Sequence, residues 1–220
     1  LIILCRIMIF FRYCEHGIRI VFGKSIDLET HEKVRRYYFF LKSLRIKEII
    51  DIIPSFTSCL IYFDGERISF QRLTSLLMER EEEMKTVDVP KPTLHEIPVK
   101  YGGEYGPDME FVSSYSGLAE NEVIEVHTST LYTVFMAGFI PGFPYMGILD
   151  KRLYTPRLDT PRLKVPEGSV GLAQLQTGIY SFESPAGWRI IGKTNTPLFD
   201  CKKEPYSLLK IGDMVRFVRA

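Results

Sequence analysis

Hydrophobic positions change their period several times along this chain. Two apolar runs, Ile3 to Phe11 and Ile18 to Phe22, flank a polar stretch from Tyr13 to Gly17 and predict a hairpin or two neighbouring strands. From Leu28 to Leu44 the positions Leu28, Val34, Tyr37, Tyr38, Leu41 and Leu44 recur at helical spacing, with Glu29, Glu32, Lys33, Arg36 and Lys42 on the wet side and Asp27 placed as a cap. Two β-branched runs follow over residues 46–56 and 57–63, divided at Pro54 and Ser55 and closed by Asp64 and Gly65. A second helix starting near Ser69 would carry Phe70, Leu73, Leu76, Leu77 and Met84 on one face. The order strand, strand, helix, strand, strand, helix predicts a two-layer α+β sandwich with both helices on one side of an antiparallel or mixed sheet.

That pattern stops at a charged run and a Pro-stiffened connector containing Pro90 and Pro92, which places a boundary between Val87 and Thr93 and domains over residues 1–90 and 93–220. Beyond it a strand is expected near residues 95–102, then one or two short helices between Pro107 and Thr128. From Tyr132 onward short β segments alternate with Gly/Pro turns, at residues 132–139, 168–175, 178–182, 189–194 and 213–219. Many short strands with little helix imply a closed or nearly closed β-barrel.

Composition narrows the classes. At 220 residues the chain can bury a core without a metal or disulfide, and a formal net charge of +1 gives no global signature of a nucleic-acid or acidic-membrane partner. Cys5, Cys14, Cys59 and Cys201 are scattered, with no histidine at ligand spacing, so no metal site is expected and reduced thiols in a cytoplasm are the simplest reading. The apolar opening run is too short for a membrane helix and is interrupted by Arg6, and with no basic residues before it and no small-residue cleavage site after it a signal peptide is not expected; a protein without a membrane span is expected. Phosphate-loop, dinucleotide-fold, zinc-protease and hydrolase-elbow motifs do not occur. His16, His31, His95 and His127 read as surface or core residues.

Candidate chemistry concentrates between Phe135 and Asp200. Seven prolines and eight glycines lie between Gly138 and Pro197, about half of the chain's 13 Pro and 16 Gly. Pro141, Gly142, Phe143 and Pro144 must form a rigid loop, since neither proline can donate to a strand ladder; Phe139 and Phe143 are expected to plug a barrel end, and Tyr145 to offer its hydroxyl to a cleft. The near-repeat at residues 155–163 sets Arg157 and Arg162 on stiff backbone. Their planar forks suit a carboxylate or phosphate, and suit equally a surface pair with Asp150, Asp159 or Glu167. Gln176 and Thr177, beside Gly178 and followed by Tyr180 and Trp188, suit a neutral amide or lactam, or else turn carbonyls and core. Lys193 is either an anion ligand or a solvated strand end. Beyond Asp150, Asp159, Glu167, Glu183 and Asp200, no obvious general acid and base pair accompanies these residues, which favours a binding or half-site role with a partner completing the chemistry.

The segment from Gly138 to Asp200, with the upstream run IPVKYGGEYGPDMEFV, resembles the family that includes the sporulation kinase inhibitor KipI, the B subunit of bacterial 5-oxoprolinase (PxpB) and the related part of the urea carboxylase carboxyltransferase domain, long labelled allophanate hydrolase subunit 1. The resemblance covers nearly the whole chain. It implies an α+β N-terminal ferredoxin-like domain followed by an all-β cyclophilin-like barrel domain. It also implies a B-type component that works with C-subunit-like and A-subunit-like partners in ATP-dependent opening of 5-oxoproline to glutamate, with ATP used in the assembled complex and no cofactor on this chain alone. Inhibition of a sensor histidine kinase, or a carboxyltransferase role toward urea-type substrates, are the alternatives it implies. On this resemblance Gln176, Thr177 and Tyr180 would address an amide-like group and Arg157, Arg162 or Lys193 a carboxylate or phosphorylated intermediate. Lys193 stands where many relatives carry Arg, exchanging a fork for a point charge.

Overall fold

The computed structural model describes residues 2–4 and 9–220, and the chain divides into two compact units, Leu1–Lys91 and Pro92–Ala220. In the first unit β1 (Ile2–Leu4), β2 (Ile9–Cys14), β3 (Gly17–Val21), β4 (Ile49–Pro54) and β5 (Ser58–Phe63) form one antiparallel sheet in the order β1-β2-β3-β5-β4. The opening apolar run therefore supplies two strands, not the one expected: Ile2 pairs with Phe11 and Leu4 with Ile9, a register that one extended run cannot make. The part of that expected strand at residues 5–8, including Cys5, lies outside the described residues.

Helix α1 (Leu28–Leu44) follows β3, and the Asp27 carboxylate caps it by accepting the Thr30 N–H at 2.7 Å and the Ser25 hydroxyl at 2.6 Å. Val34, Tyr37, Phe40 and Leu41 are buried, and the Cys59 thiol of β5 donates to the Val34 carbonyl at 3.7 Å, so this face packs on the sheet. Leu28, in the first turn, remains exposed. Helix α2 (Phe70–Glu79) starts where Ser69 Oγ accepts the Arg72 N–H at 3.2 Å and buries Phe70, Leu73 and Leu77. It ends sooner than the periodicity suggests: Met84 belongs to a separate 3₁₀ turn, Glu81–Thr86, and not to the helix face.

The second unit contains β6 (Leu94–Tyr101), α3 (Met109–Ser116), α4 (Glu120–Ser129), β7 (Leu131–Ala137), β8 (Pro144–Gly147), β9 (Arg162–Val165), β10 (Ser169–Ala173), β11 (Gln176–Ile179), β12 (Ser184–Ala186), β13 (Arg189–Lys193) and β14 (Met214–Arg219). Seven of these strands close a barrel in the order β10-β11-β8-β7-β14-β6-β13, with β13 returning to β10. Its pairs are antiparallel except β6 with β14, which run parallel from Leu94 and Met214 to Val99 and Arg219. The remaining two strands, β9 and β12, form a separate two-stranded sheet. The barrel interior is filled by Ile97, Val99, Tyr132, Val134, Met146, Val170, Leu172, Ile179, Ile191, Val215 and Phe217, closed on one side by Val123 and Val126 of α4. No helix among the described residues is long and apolar enough to cross a membrane.

One polar chain runs through this core. The Tyr101 hydroxyl lies 2.8 Å from His127 Nδ1, His127 Nε2 lies 3.1 Å from Thr177 Oγ1, and Thr177 Oγ1 donates to the Gly171 carbonyl at 3.2 Å. Because Thr177 spends its proton on Gly171, it must accept from Nε2–H, leaving Nδ1 to accept from Tyr101; the tautomer follows from the network. His127 is fully buried and stacks on Phe217 at 4.5 Å, and burial pushes its pKa down to about 3. A folded-state pKa below the unfolded value of about 6.5 means that the unfolded chain takes up the proton first, so stability present above that value is lost on acidification. Comparing urea unfolding of wild type and His127→Gln, wild type is expected to lose roughly 3 kcal/mol more than the variant between pH 7 and pH 4; parallel pH profiles would show that His127 is not held neutral.

Candidate functional site

Alternation along β11 and β8 sorts side chains between the barrel interior and its outer wall. Thr177 pairs with buried Met146 and points inward, whereas Gly178 pairs with Tyr145 on the outside. Gly178 leaves room there: a Cβ at this position would lie 2.8 Å from the Phe143 ring, 2.9 Å from the Pro144 carbonyl oxygen and 3.0 Å from the Trp188 ring. Phe143 and Trp188 therefore settle on the wall in an outer cluster with Val165, Ala173, Tyr180, Ala186 and Ile190. Four of its ring contacts are edge-on: Phe143 with Tyr145 (4.9 Å), with Tyr180 (5.0 Å) and with Trp188 (5.5 Å), and Tyr145 with Trp188 (5.7 Å).

The loop before β8 bends over this cluster. Gly142 has φ 76°, and a Cβ there would lie 2.6 Å from Phe199 Cβ, so the turn requires glycine. The hydroxyl of buried Ser181 also donates to the Pro141 carbonyl at 2.5 Å, tying the loop down. Phe143 is buried, but on the outer wall and not in a barrel end, and Phe139 is 60% exposed and plugs nothing. Its ring meets Phe143 edge-on at 5.7 Å and stands at the rim of a cleft of about 230 Å³. Tyr145, Arg157, Tyr180 and Trp188 line this cleft with Phe143, and Pro161, Pro185 and Gly187 complete its wall.

Arg157 gives the cleft its charge. Its guanidinium carbon sits 6.0 Å from the Trp188 ring centroid, and no carboxylate among the described residues forms an ion pair with it. Burial raises the phenol pKa of Tyr145, and burial together with neighbouring Tyr145 raises that of Tyr180; the Arg157 charge opposes the rise at both. Both phenols are thus protonated donors at neutral pH, set beside a cation. An oxyanion with a planar neutral group matches that arrangement. Among the described residues the polar groups lining the cleft are the Arg157 guanidinium and the Tyr145 and Tyr180 phenols, a set suited to holding and orienting a ligand.

The other sequence candidates fall elsewhere. Arg162 does not point into this cleft as a free cation: it makes a two-pronged pair with Asp108, at 2.8 and 2.7 Å, and lines a second cleft. Asp108 is buried, accepts the Ile190 N–H at 2.6 Å and lies 3.8 Å from Arg189, which stacks 3.5 Å above the Phe111 ring. The acidic partners that the sequence offers, Asp150, Asp159 and Glu167, are not the ones used. Thr177 is likewise a core residue and does not reach the cleft. Gln176 shares the outer face with Gly178 but does not line the cavity; among the described residues no hydrogen-bond partner reaches its buried Nε2. Lys193 lines the second cleft. Asp108 and Pro161 have no counterpart among the sequence candidates, because a lone acidic residue and a turn proline carry no periodic signal.

The family model for the carboxyltransferase domain, subdomain C and D, matches residues 8–209. The B subunit of 5-oxoprolinase from Bacillus subtilis is 38% identical over 215 residues, covering 93% of this chain and 90% of that protein. Among solved structures, TTHA0988 superposes with a TM-score of 0.79 at 32% identity, covering 93% of this chain and 40% of that one. The Kluyveromyces lactis urea carboxylase superposes with a TM-score of 0.78 at 20% identity over 97% of this chain and 22% of its own, a likeness of fold alone. The chain thus spans less than half the length of either solved chain. From the family match and the near full-length likeness to a curated relative, the chain belongs to the family of carboxyltransferase-domain subdomains C and D and is a homologue of the 5-oxoprolinase B subunits.

Proposed function

We propose that this chain is the B subunit of a 5-oxoprolinase-type complex, and that the Arg157 cleft holds the lactam acid during its ATP-dependent opening to glutamate. The observation that carries the reading is the pairing of an uncommitted guanidinium with two phenol donors on an aromatic wall. 5-Oxoproline offers a carboxylate for Arg157 and a planar lactam for Tyr145 and Tyr180, and a ligand of that size fits a cleft of about 230 Å³. A lining of one guanidinium and two phenols, with no phosphate-loop motif in the sequence, supports a half-site, with nucleotide chemistry supplied by A-subunit-like and C-subunit-like partners. A cyclophilin-like barrel agrees with the closed seven-strand arrangement. A ferredoxin-like first unit is supported by β3-α1-β4-β5-α2, in which β5 lies between the parallel strands β3 and β4; β2, from the N-terminal side, occupies the fourth position.

Reconstitution tests the assignment. Mixed with A and C partners, ATP and 5-oxoproline, the chain is expected to be required for glutamate release; equal release without it would overturn the reading.

A further inference from the structure

The second cleft, of about 290 Å³, lies beside β13 and is lined by Glu104, Tyr105, Arg162, Lys164, Ser169 and Lys193 among others. Register brings like charges together at its edge: Lys193 of β13 sits directly opposite Lys100 of β6, with Ser169 of β10 on its other flank. Opposed lysines on one sheet face repel each other. Lys100 also lies 5.2 Å from the ring of Tyr105, which lines the cleft. Neither lysine has an ion-pair partner among the described residues, whereas Arg162 is committed to Asp108 and Lys164 to exposed Glu183 at 3.0 Å. Glu104 is the one carboxylate of the lining, and it has no ion-pair partner among the described residues.

We infer that this second cleft binds the phosphoryl oxyanion of a small ligand, held by Lys193 and Lys100 with the Ser169 hydroxyl. A dianion there offsets the repulsion between the lysines, which a neutral ligand would not, and point-charge ammonium groups are suited to phosphate. The site lies apart from the Arg157 cleft and stands whether or not 5-oxoproline is that cleft's ligand.

Titrating the intact chain calorimetrically with inorganic phosphate, and separately with a nucleoside triphosphate, distinguishes a free phosphate from a nucleotide's phosphoryl group. Saturable binding of at least one is expected at low salt. It should weaken at least tenfold in Lys193→Gln and in Lys100→Gln, strengthen in Glu104→Gln, and remain unchanged in Arg157→Ala. Both lysine side chains point away from the barrel core, so folding is retained, and thermal unfolding without phosphate checks it: Lys100→Gln should melt no lower than wild type. No saturable binding of either anion by wild type, or equal binding by both lysine variants, would overturn the assignment.

Discussion

Arg157→Ala is expected to lower glutamate formation by the reconstituted complex about 100-fold, the size associated with losing a charge-assisted hydrogen-bonded pair of about 2 to 3 kcal/mol. The side chain is exposed and has no ion-pair partner among the described residues, so its removal should leave the melting temperature within a degree or two of wild type. Arg157→Lys separates charge from shape. A lysine restores a positive charge but not the fork, so recovery should be partial if the ligand group is a carboxylate gripped at both oxygens. Full activity in Arg157→Ala would remove this residue from the site.

A stability effect of comparable size is expected at Asp108. Its carboxylate joins two strands: it receives Arg162 from β9 and the Ile190 N–H from β13, and lies 3.8 Å from Arg189, also of β13. Asp108→Ala strands the Arg162 guanidinium and the buried Ile190 amide, and breaking such a pair costs about 3 to 5 kcal/mol; because Arg162 is about one third exposed, the lower end applies. For a unit of this size that corresponds to a fall of roughly 10 °C in melting temperature. The loss should also loosen β9 and β12, which reach Asp108 through Arg162 and border the cleft wall at Pro161, Pro185 and Gly187. Ligand binding in the Arg157 cleft is therefore expected to weaken in Asp108→Ala although Asp108 touches no ligand. An unchanged melting temperature would show that the network does not hold the sheet.

The elements that sequence periodicity locates are those whose burial is one-sided. Helix α1 runs over the expected residues because its apolar stripe, its Asp27 cap and its wet face all agree. Strands β8, β9 and β12 leave no such trace because each is only three or four residues long and sits beside or contains Pro144, Pro161 or Pro185, which read as turn signals. Within the site, Tyr145, Arg157, Tyr180 and Trp188 are legible from residue type, and the structure gathers them in one cleft. Thr177 illustrates what residue type leaves out. Ile179 is a core residue two positions further along the same strand, so strand alternation alone assigns Thr177 to the interior, where His127 meets it. Arg162 is indistinguishable from Arg157 by local pattern; its partner Asp108 lies 54 residues earlier, and only the fold brings them together.

The chain's one tryptophan, Trp188, forms part of the cleft wall, so intrinsic fluorescence reports directly on its occupancy. Titrating 5-oxoproline into the complex assembled with tryptophan-free partners should give a saturable change in Trp188 emission that is lost in Arg157→Ala and retained in Lys193→Gln. An emission unaffected by saturating 5-oxoproline, or a change that survives in Arg157→Ala, would contradict the assignment of this cleft as the place where the lactam acid is held.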